Sequence, residues 1–336
     1  MKDYNYYKTI SDICNELNDI YKKFNVKNII PIGKIRINDE HDQGDSFIIE
    51  NDEEKHLMVE TSTDFNWVGT RLRLYEIKNL NVNVAKYLHD YCQEDHNDVR
   101  HTLFVFSYID GESLKDYLLK VNNNEAYKLG IQLGKILNEI HLVKVDVLKH
   151  HIPHWESRYR YTKKYILNEY QENNITDKAF NYYKENESII ERRYTTAEYY
   201  CKVNGEYLYK DGKIVIEKTL AFIINDIRMD NLIVSNNQVY IKCPINITIG
   251  DPFYDFKYLS LLALENEYFA SGVIKGYFDN EISIDFFKML KYYTCELIIT
   301  EYNKSLDINI INKLIEFYDD FNLEIPKWYK KDKTKV

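Results

Sequence analysis

The sequence predicts an α+β chain of two lobes, a small mixed lobe over residues 1–107 and a larger, mainly helical lobe over residues 108–336. Three observations carry that expectation. The chain has 336 residues, beyond the ~250 at which a single hydrophobic core usually stops growing. In its first hundred residues the strand-like runs "DSFIIE" and "HLMVET" flank the polar "NDEEK", the pattern of a hairpin. From residue 112 onward, apolar residues recur mostly at helical spacing.

Taken in order, Ile10, Ile13, Leu17 and Ile20 share one face of an opening helix. After the hairpin, a helical stretch runs from about Arg71 to Leu80, and "TLFVFSYI" reads as a buried strand that stops at Asp110-Gly111. "AYKLGIQLGKILNEIH" sets Leu129, Leu133, Ile136, Leu137 and Ile140 on one helical face. Gly130 and Gly134, one turn apart, let another helix approach closely. Tyr-rich helical stretches fill residues 155–200. "EYLY" and "KIVIEK" then meet around Asp211-Gly212, and "NLIVS" and "QVYIK" around Asn236-Asn237, turn pairs that tolerate positive φ. The first of these is an extra hairpin near residues 201–218. After Asp255 the pattern is helical again to about Phe321.

Composition removes several function classes. There are 11 glycines and 5 prolines, against about 24 and 17 at average usage. No two glycines make a G-x-G and no two stand five apart, an arrangement that excludes the dinucleotide fingerprint and the P-loop. The net charge of -9 argues against a nucleic-acid partner and for a cationic small-molecule ligand, with solubility alone as the other reason for the acid excess. No window approaches the ~20 apolar residues of a membrane span, and the charged start lacks the apolar core of a signal peptide. A cytoplasmic protein with no membrane partner is expected. Five scattered cysteines without a C-x-x-C fit reduced thiols. His150, His151 and His154 read as an exposed loop rather than a metal site.

The most informative segment is "FIINDIRMDNLIVSNNQVYIKCPINITIGDPFYDF", residues 222–256. Asp226 and Asn231 lie five apart, between an apolar run and a hairpin. This resembles the catalytic loop of the aminoglycoside phosphotransferase and choline kinase group, where H-G-D-x-x-x-x-N precedes such a hairpin. "GDPFYDF" matches that group's G-D-P-x-x-D. "FVFSYIDGESLKDYL" is similar to the hinge strand and following helix, and "YKLGIQLGKILNEIH" to the helix after it. "YFASGVIKGYFDNEISIDFFKMLKYY" and "IPKWYK" are similar to the distal helices and terminus of bacterial members. The resemblance covers residues 100–330 and implies a bilobal protein-kinase-like fold, with an antiparallel sheet in the small lobe.

Phosphoryl transfer needs a base for the acceptor hydroxyl, Mg²⁺ on the phosphates and a cation beside them. The resemblance implies Asp226 as base and Asn231 as metal ligand. It also implies hinge residues Ser107, Tyr108 and Ile109 around a nucleotide, with ATP or GTP and Mg²⁺ as cofactors of an active enzyme. The structural alternative is that Asp226 and Asn231 fasten a tight loop through bonds to backbone. The His and Gly that usually precede the Asp are Ile224 and Asn225, so the loop's packing and turn are expected to differ. The second metal ligand falls on Cys243, a soft thiol where Mg²⁺ wants hard oxygen, and Cys243 reads as a small buried hydrophobe. Asp251, with Asp230 and Asp255 near it, is the candidate replacement, its other role being structural.

The phosphate-holding cation falls on Glu60, or on Val59 with a one-residue slip, and neither is a cation. Its helix partner is Glu76, if that residue is more than an ordinary exposed glutamate. The phosphate-covering loop falls in "GKIRINDEHDQGDS", long and acidic, with Lys34 and Arg36 as its cations. Two of four charged parts remain. The resemblance therefore implies a degenerate member, a pseudokinase that binds a small ligand or partner without efficient transfer. The alternatives are an active phosphotransferase acting on a hydroxyl of an aminoglycoside- or choline-like cation, and an interaction protein with a vestigial cleft.

Overall fold

The structure is a computed structural model. Apart from a few positions inside these runs, it describes residues 20–37, 42–61, 67–94, 100–145, 163–170, 175–188, 209–214, 221–278, 282–302 and 307–331. The chain divides into two compact units, Met1–Gly111 with Tyr240–Ile247, and Glu112–Val239 with Thr248–Val336.

The first unit is built on an antiparallel sheet. Strands β1 (Asn28–Ile37), β2 (Asp42–Glu50), β3 (Lys55–Thr61), β4 (Tyr87–Glu94) and β5 (Arg100–Ser107) lie in the order β1-β2-β3-β5-β4. The expected hairpin is β2–β3, and the expected buried strand is β5. Side chains alternate between faces. Phe47, Ile49, Met58, Leu103 and Val105 pack with Ile20 and Ile29 into one core. Leu57, Val59, Phe104 and Phe106, one step out of phase, are buried on the other face. Helix α1 (Trp67–Ile77) contributes buried Leu74 and Ile77. The expected opening helix lies mostly outside the described residues.

Two strands escape the sequence pattern. β1 contains Pro31 and Gly33, which read as loop, but it is an edge strand and its register shifts between those residues, where the sheet tolerates both. β4 is the other edge and is largely polar.

In the second unit, β6 (Glu112–Ser113) leads into the short helix α2 (Leu114–Leu118). Helix α3 (Asn123–His141) then starts on a capping box between Asn122 and Glu125. α4 (Asp177–Glu185) lies in the Tyr-rich region, most of which lies outside the described residues, as do His150, His151 and His154. β7 (Tyr209–Lys210) and β8 (Lys213–Ile214) pair antiparallel, and the rest of the 201–218 segment is outside the described residues. Helices α5 (Leu259–Glu265), α6 (Glu267–Phe278), α7 (Ile284–Tyr302) and α8 (Ile308–Glu316) complete the unit.

α3 and α6 cross in backbone contact through two glycine pairs. A Cβ on Gly130 would lie 2.0 Å from the Phe269 carbonyl oxygen, and one on Gly134 2.1 Å from that of Val273. A Cβ on Gly272 would sit 2.2 Å from the Tyr127 oxygen, and one on Gly276 2.1 Å from that of Ile131. All four obstacles are backbone atoms of the facing helix, so relief requires the helices to separate. The remaining core is rich in tyrosine: Tyr183, Tyr254, Tyr292, Tyr293 and Tyr318 are buried around α7. Buried Glu296 faces the Lys257 ammonium at 3.3 Å and accepts from the hydroxyls of Tyr254 and Tyr183.

Gly134→Ala forces an overpacked helix crossing and should destabilise the second unit by about 3 kcal/mol, read as a lower midpoint in urea unfolding. An alanine at Gly33, whose surroundings are open but whose φ is +130°, should cost less.

Candidate functional site

The site grows from a pair of three-residue strands. β9 (Ala221–Ile223) is wholly buried and pairs antiparallel with β12 (Thr248–Gly250), matching Ile223 with Thr248 and Ala221 with Gly250. This pairing, invisible in periodicity because both strands are short and buried, sets the loop after β9 beside the "GDP" after β12.

The loop is fixed by one carboxylate. Asp255, in the 3₁₀ segment Pro252–Tyr258, is 1% exposed. Its Oδ2 accepts from the backbone N–H of Ile224 at 2.9 Å, and its Oδ1 from that of Asn225 at 2.5 Å. Nε2 of His141, the last residue of α3, lies 2.9 Å from the same Oδ2, and Nδ1 of that ring lies 2.9 Å from the Tyr277 hydroxyl on α6. With Tyr277 donating to Nδ1, His141 donates from Nε2 to the carboxylate. Asn225 takes φ of 57°, the left-handed region that its side chain tolerates better than most.

Two residues on, the Asp226 carboxylate is closed by Arg228. Nε donates to Oδ1 at 2.8 Å and Nη2 to Oδ2 at 3.2 Å, a fork of the kind that makes Arg–carboxylate pairs specific. The guanidinium also lies 3.9 Å from Asp230 and over the Tyr258 ring, 5.8 Å from its centroid. Burial alone would lower the Arg228 pKa, but the hydrogen bond and charge of Asp226, with Asp230 and Tyr258, raise it further. Asn231 closes the loop: its Nδ2 donates to the Asp226 carbonyl at 3.0 Å, and its own N–H to the Arg228 carbonyl at 3.0 Å. The chain then enters β10 (Leu232–Ser235), turns at Asn236 and Asn237 with φ of 50° and 60°, and continues into β11 (Gln238–Ile241).

No family model matches the sequence, and no curated protein matches it. Solved structures do match its fold. An amicoumacin kinase in complex with AMP-PNP, Ca²⁺ and Ami superposes at a TM-score of 0.59, with 10% identity over 96% of this chain and 98% of its own. A thermostable mutant of an aminoglycoside phosphotransferase, in apo form, does so at 0.52, with 9% identity over 89% and 98%. A spectinomycin phosphotransferase in complex with ADP and spectinomycin does so at 0.50, with 14% identity over 92% and 95%. The chain has the aminoglycoside phosphotransferase fold. Within that fold, the β9–β12 pairing sets the loop with Asp226 beside the "GDP" segment.

The other expected residues divide between the units. Asp251 is spent on structure: Oδ1 accepts from the Phe253 N–H, capping the 3₁₀ segment, and Oδ2 accepts from the Tyr293 hydroxyl at 2.9 Å. Cys243 is a thiol, 1% exposed, in the stretch of the first unit where Arg73 donates from Nε to the Ile247 carbonyl. Glu60, half-buried on β3, stands opposite Asp45 on β2, which in turn faces and pairs with Lys34 on β1 at 3.0 Å. That row holds two carboxylates and one cation. Glu76 is half-buried on α1, and Ser107, Tyr108 and Ile109 are half-buried at and after the end of β5. The Ser107 hydroxyl accepts from the Lys86 N–H at 2.8 Å.

These residues do not fit a Mg²⁺ ion. The expected acid position is a buried thiol, a soft ligand where Mg²⁺ takes hard oxygen, and both Asp251 oxygens accept hydrogen bonds. Among the described residues no group of three or more His, Cys, Asp or Glu could hold a metal ion.

One expectation requires correction. The "GKIRINDEHDQGDS" segment is not a long loop: residues 33–37 and 42–46 are strand, and Lys34 is engaged by Asp45. The Arg36 side chain lies outside the described residues. Before Asp226, where the resemblance implies a glycine, Asn225 adopts the left-handed conformation. Sequence reasoning also missed Arg228. Its signal was a lone cation two residues after Asp226, a spacing that brings no contact in a helix and becomes a contact only in this loop.

Asn225→Gly should leave stability nearly unchanged. Asn225→Val, β-branched at positive φ, should cost about 1–3 kcal/mol, measured as a shift in the chemical-unfolding midpoint.

Proposed function

We propose that the chain is a pseudokinase of the aminoglycoside phosphotransferase fold, binding a small-molecule ligand or partner without efficient ATP-dependent transfer. The observation that carries this is the Asp226–Arg228 fork: both oxygens that would take an acceptor proton already accept from a guanidinium. The thiol at Cys243 and the acidic row of Asp45 and Glu60 support the same reading, because neutralising phosphate charge is the main catalytic contribution in such sites. Its place of action is the cytoplasm, a reading supported by the scattered thiols; among the described residues no helix is long and apolar enough to cross a membrane.

The loop that presents Asp226 and Asn231 is intact, which favours one second reading. It is an active ATP- or GTP-dependent phosphotransferase acting on a small-molecule hydroxyl, with Asp226 as base once Arg228 has moved.

Thermal unfolding with ATP or GTP, with and without Mg²⁺ or Mn²⁺, separates the two. A ligand present at a hundred times its Kd stabilises by about 2.7 kcal/mol. The pseudokinase reading predicts no metal-dependent rise in Tm. A metal-dependent rise that Asn231→Ala abolishes would overturn the pseudokinase reading.

A further inference from the structure

A cavity of about 700 Å³ opens in the second unit between the start of α3, the α5–α6 junction and the end of α8. That size suits a small molecule. Asn123, at its edge, begins α3, whose 19 residues span about 28 Å at roughly 1.5 Å each, whereas His141 at the far end of the helix meets Asp255. The cavity is therefore a different place from the loop of Asp226.

Leu264, Tyr268 and Phe317 supply its apolar surface. Most of its charges are engaged: Glu265 with Lys115 at 3.2 Å, Glu267 with Lys330 at 2.7 Å, and Lys327 with Asp319 at 3.0 Å. Lys313 and Glu316, one turn apart on α8, line it without an ion-pair partner among the described residues. One charge of each sign is left over. The helix ends repeat that pairing, since α3 and α6 begin at the cavity with Asn123 and Glu267, and α8 ends there with Glu316. Partial positive and partial negative charge meet in one space. The wall beyond Phe317 is held in a costly shape: Asp319, Asp320 and Phe321 take φ of 51°, 55° and 68°, a region that residues other than glycine enter singly rather than in succession. Lys327 closes this turn, its N–H donating to the Phe317 carbonyl at 2.8 Å, and buried Lys291 donates to the Phe321 carbonyl at 3.1 Å. Strain of this kind persists where surrounding contacts over-determine it, and ligand clamps are among such places.

We propose that this cavity binds a small zwitterion with an apolar body, of the amino-acid class. Its carboxylate takes Lys313, its ammonium takes Glu316, and its body lies on Leu264, Tyr268 and Phe317. A ligand with one charge satisfies one of the two side chains and is repelled by the other. A pure cation would also have to displace Lys115 or Lys330 to gain a second carboxylate. The site goes beyond the pseudokinase reading and stands whether or not the loop of Asp226 transfers phosphate.

Calorimetric titration of the full chain tests it with three probes that share one body: L-phenylalanine, phenethylamine with the ammonium alone, and hydrocinnamate with the carboxylate alone. L-phenylalanine should bind at millimolar concentration or below, and each analogue at least about fivefold more weakly, the scale of one exposed ion pair. Lys313→Gln should bring L-phenylalanine down to the affinity of phenethylamine, and Glu316→Gln to that of hydrocinnamate. Both positions are exposed, so both variants should keep the fold. The proposal is overturned if L-phenylalanine does not bind at millimolar concentration, if either analogue binds as tightly, or if neither glutamine variant changes its affinity. The pseudokinase reading survives each of these results, because nucleotide-dependent unfolding tests it separately.

Discussion

One buried carboxylate organises the second unit. Asp255 gathers two backbone N–H groups of the catalytic-type loop and the imidazole that ends α3, and through that ring reaches the Tyr277 hydroxyl on α6. Hydrogen bonds to a charged acceptor contribute about 1.5–3 kcal/mol each. An uncompensated buried charge costs about 3–5 kcal/mol. Asp255 is therefore tolerable only with its partners in place, and the partners are what shape the loop. The glycine crossing of α3 and α6 belongs to the same constraint, because it sets His141 and Tyr277 close enough for their rings to meet at 5.4 Å.

Retention and loss follow different lines in this chain. Positions that hold the loop keep their function even with altered residues: Asn225 supplies a left-handed turn, and Ile224 contributes a backbone donor from a wholly buried position. At the positions where the resemblance implies metal or base chemistry, the side chains have other partners or surroundings. Asp251 caps a turn, Cys243 fills the interior, and Asp226 balances Arg228. Under the pseudokinase reading proposed above, that combination serves recognition of a ligand rather than transfer of a phosphoryl group.

The sequence made the scaffold more legible than the site. Helix α3, the β2–β3 hairpin and the Asn236-Asn237 turn carried periodic or turn signals strong enough to read directly, and Gly130 with Gly134 announced a close helix contact. Strands β1 and β4 did not, since edge strands tolerate the proline, glycine and polar residues that mask them. At the site, the five-residue spacing of Asp226 and Asn231 located the loop, but the identity of Asp255 as its anchor depends on the β9–β12 pairing. Arg228 was hidden for a related reason: contact at i,i+2 arises only from loop geometry.

Amide hydrogen exchange at Ile224 and Asn225, in the unaltered chain and in Asp255→Asn, tests the anchoring role most directly. An asparagine keeps the shape but removes the charge and one acceptor oxygen. The account predicts core-like protection of both amides in the unaltered chain, and selective loss of protection at this loop in the variant while the β2–β3–β5 sheet keeps its own. Unchanged protection at both amides in Asp255→Asn would contradict it.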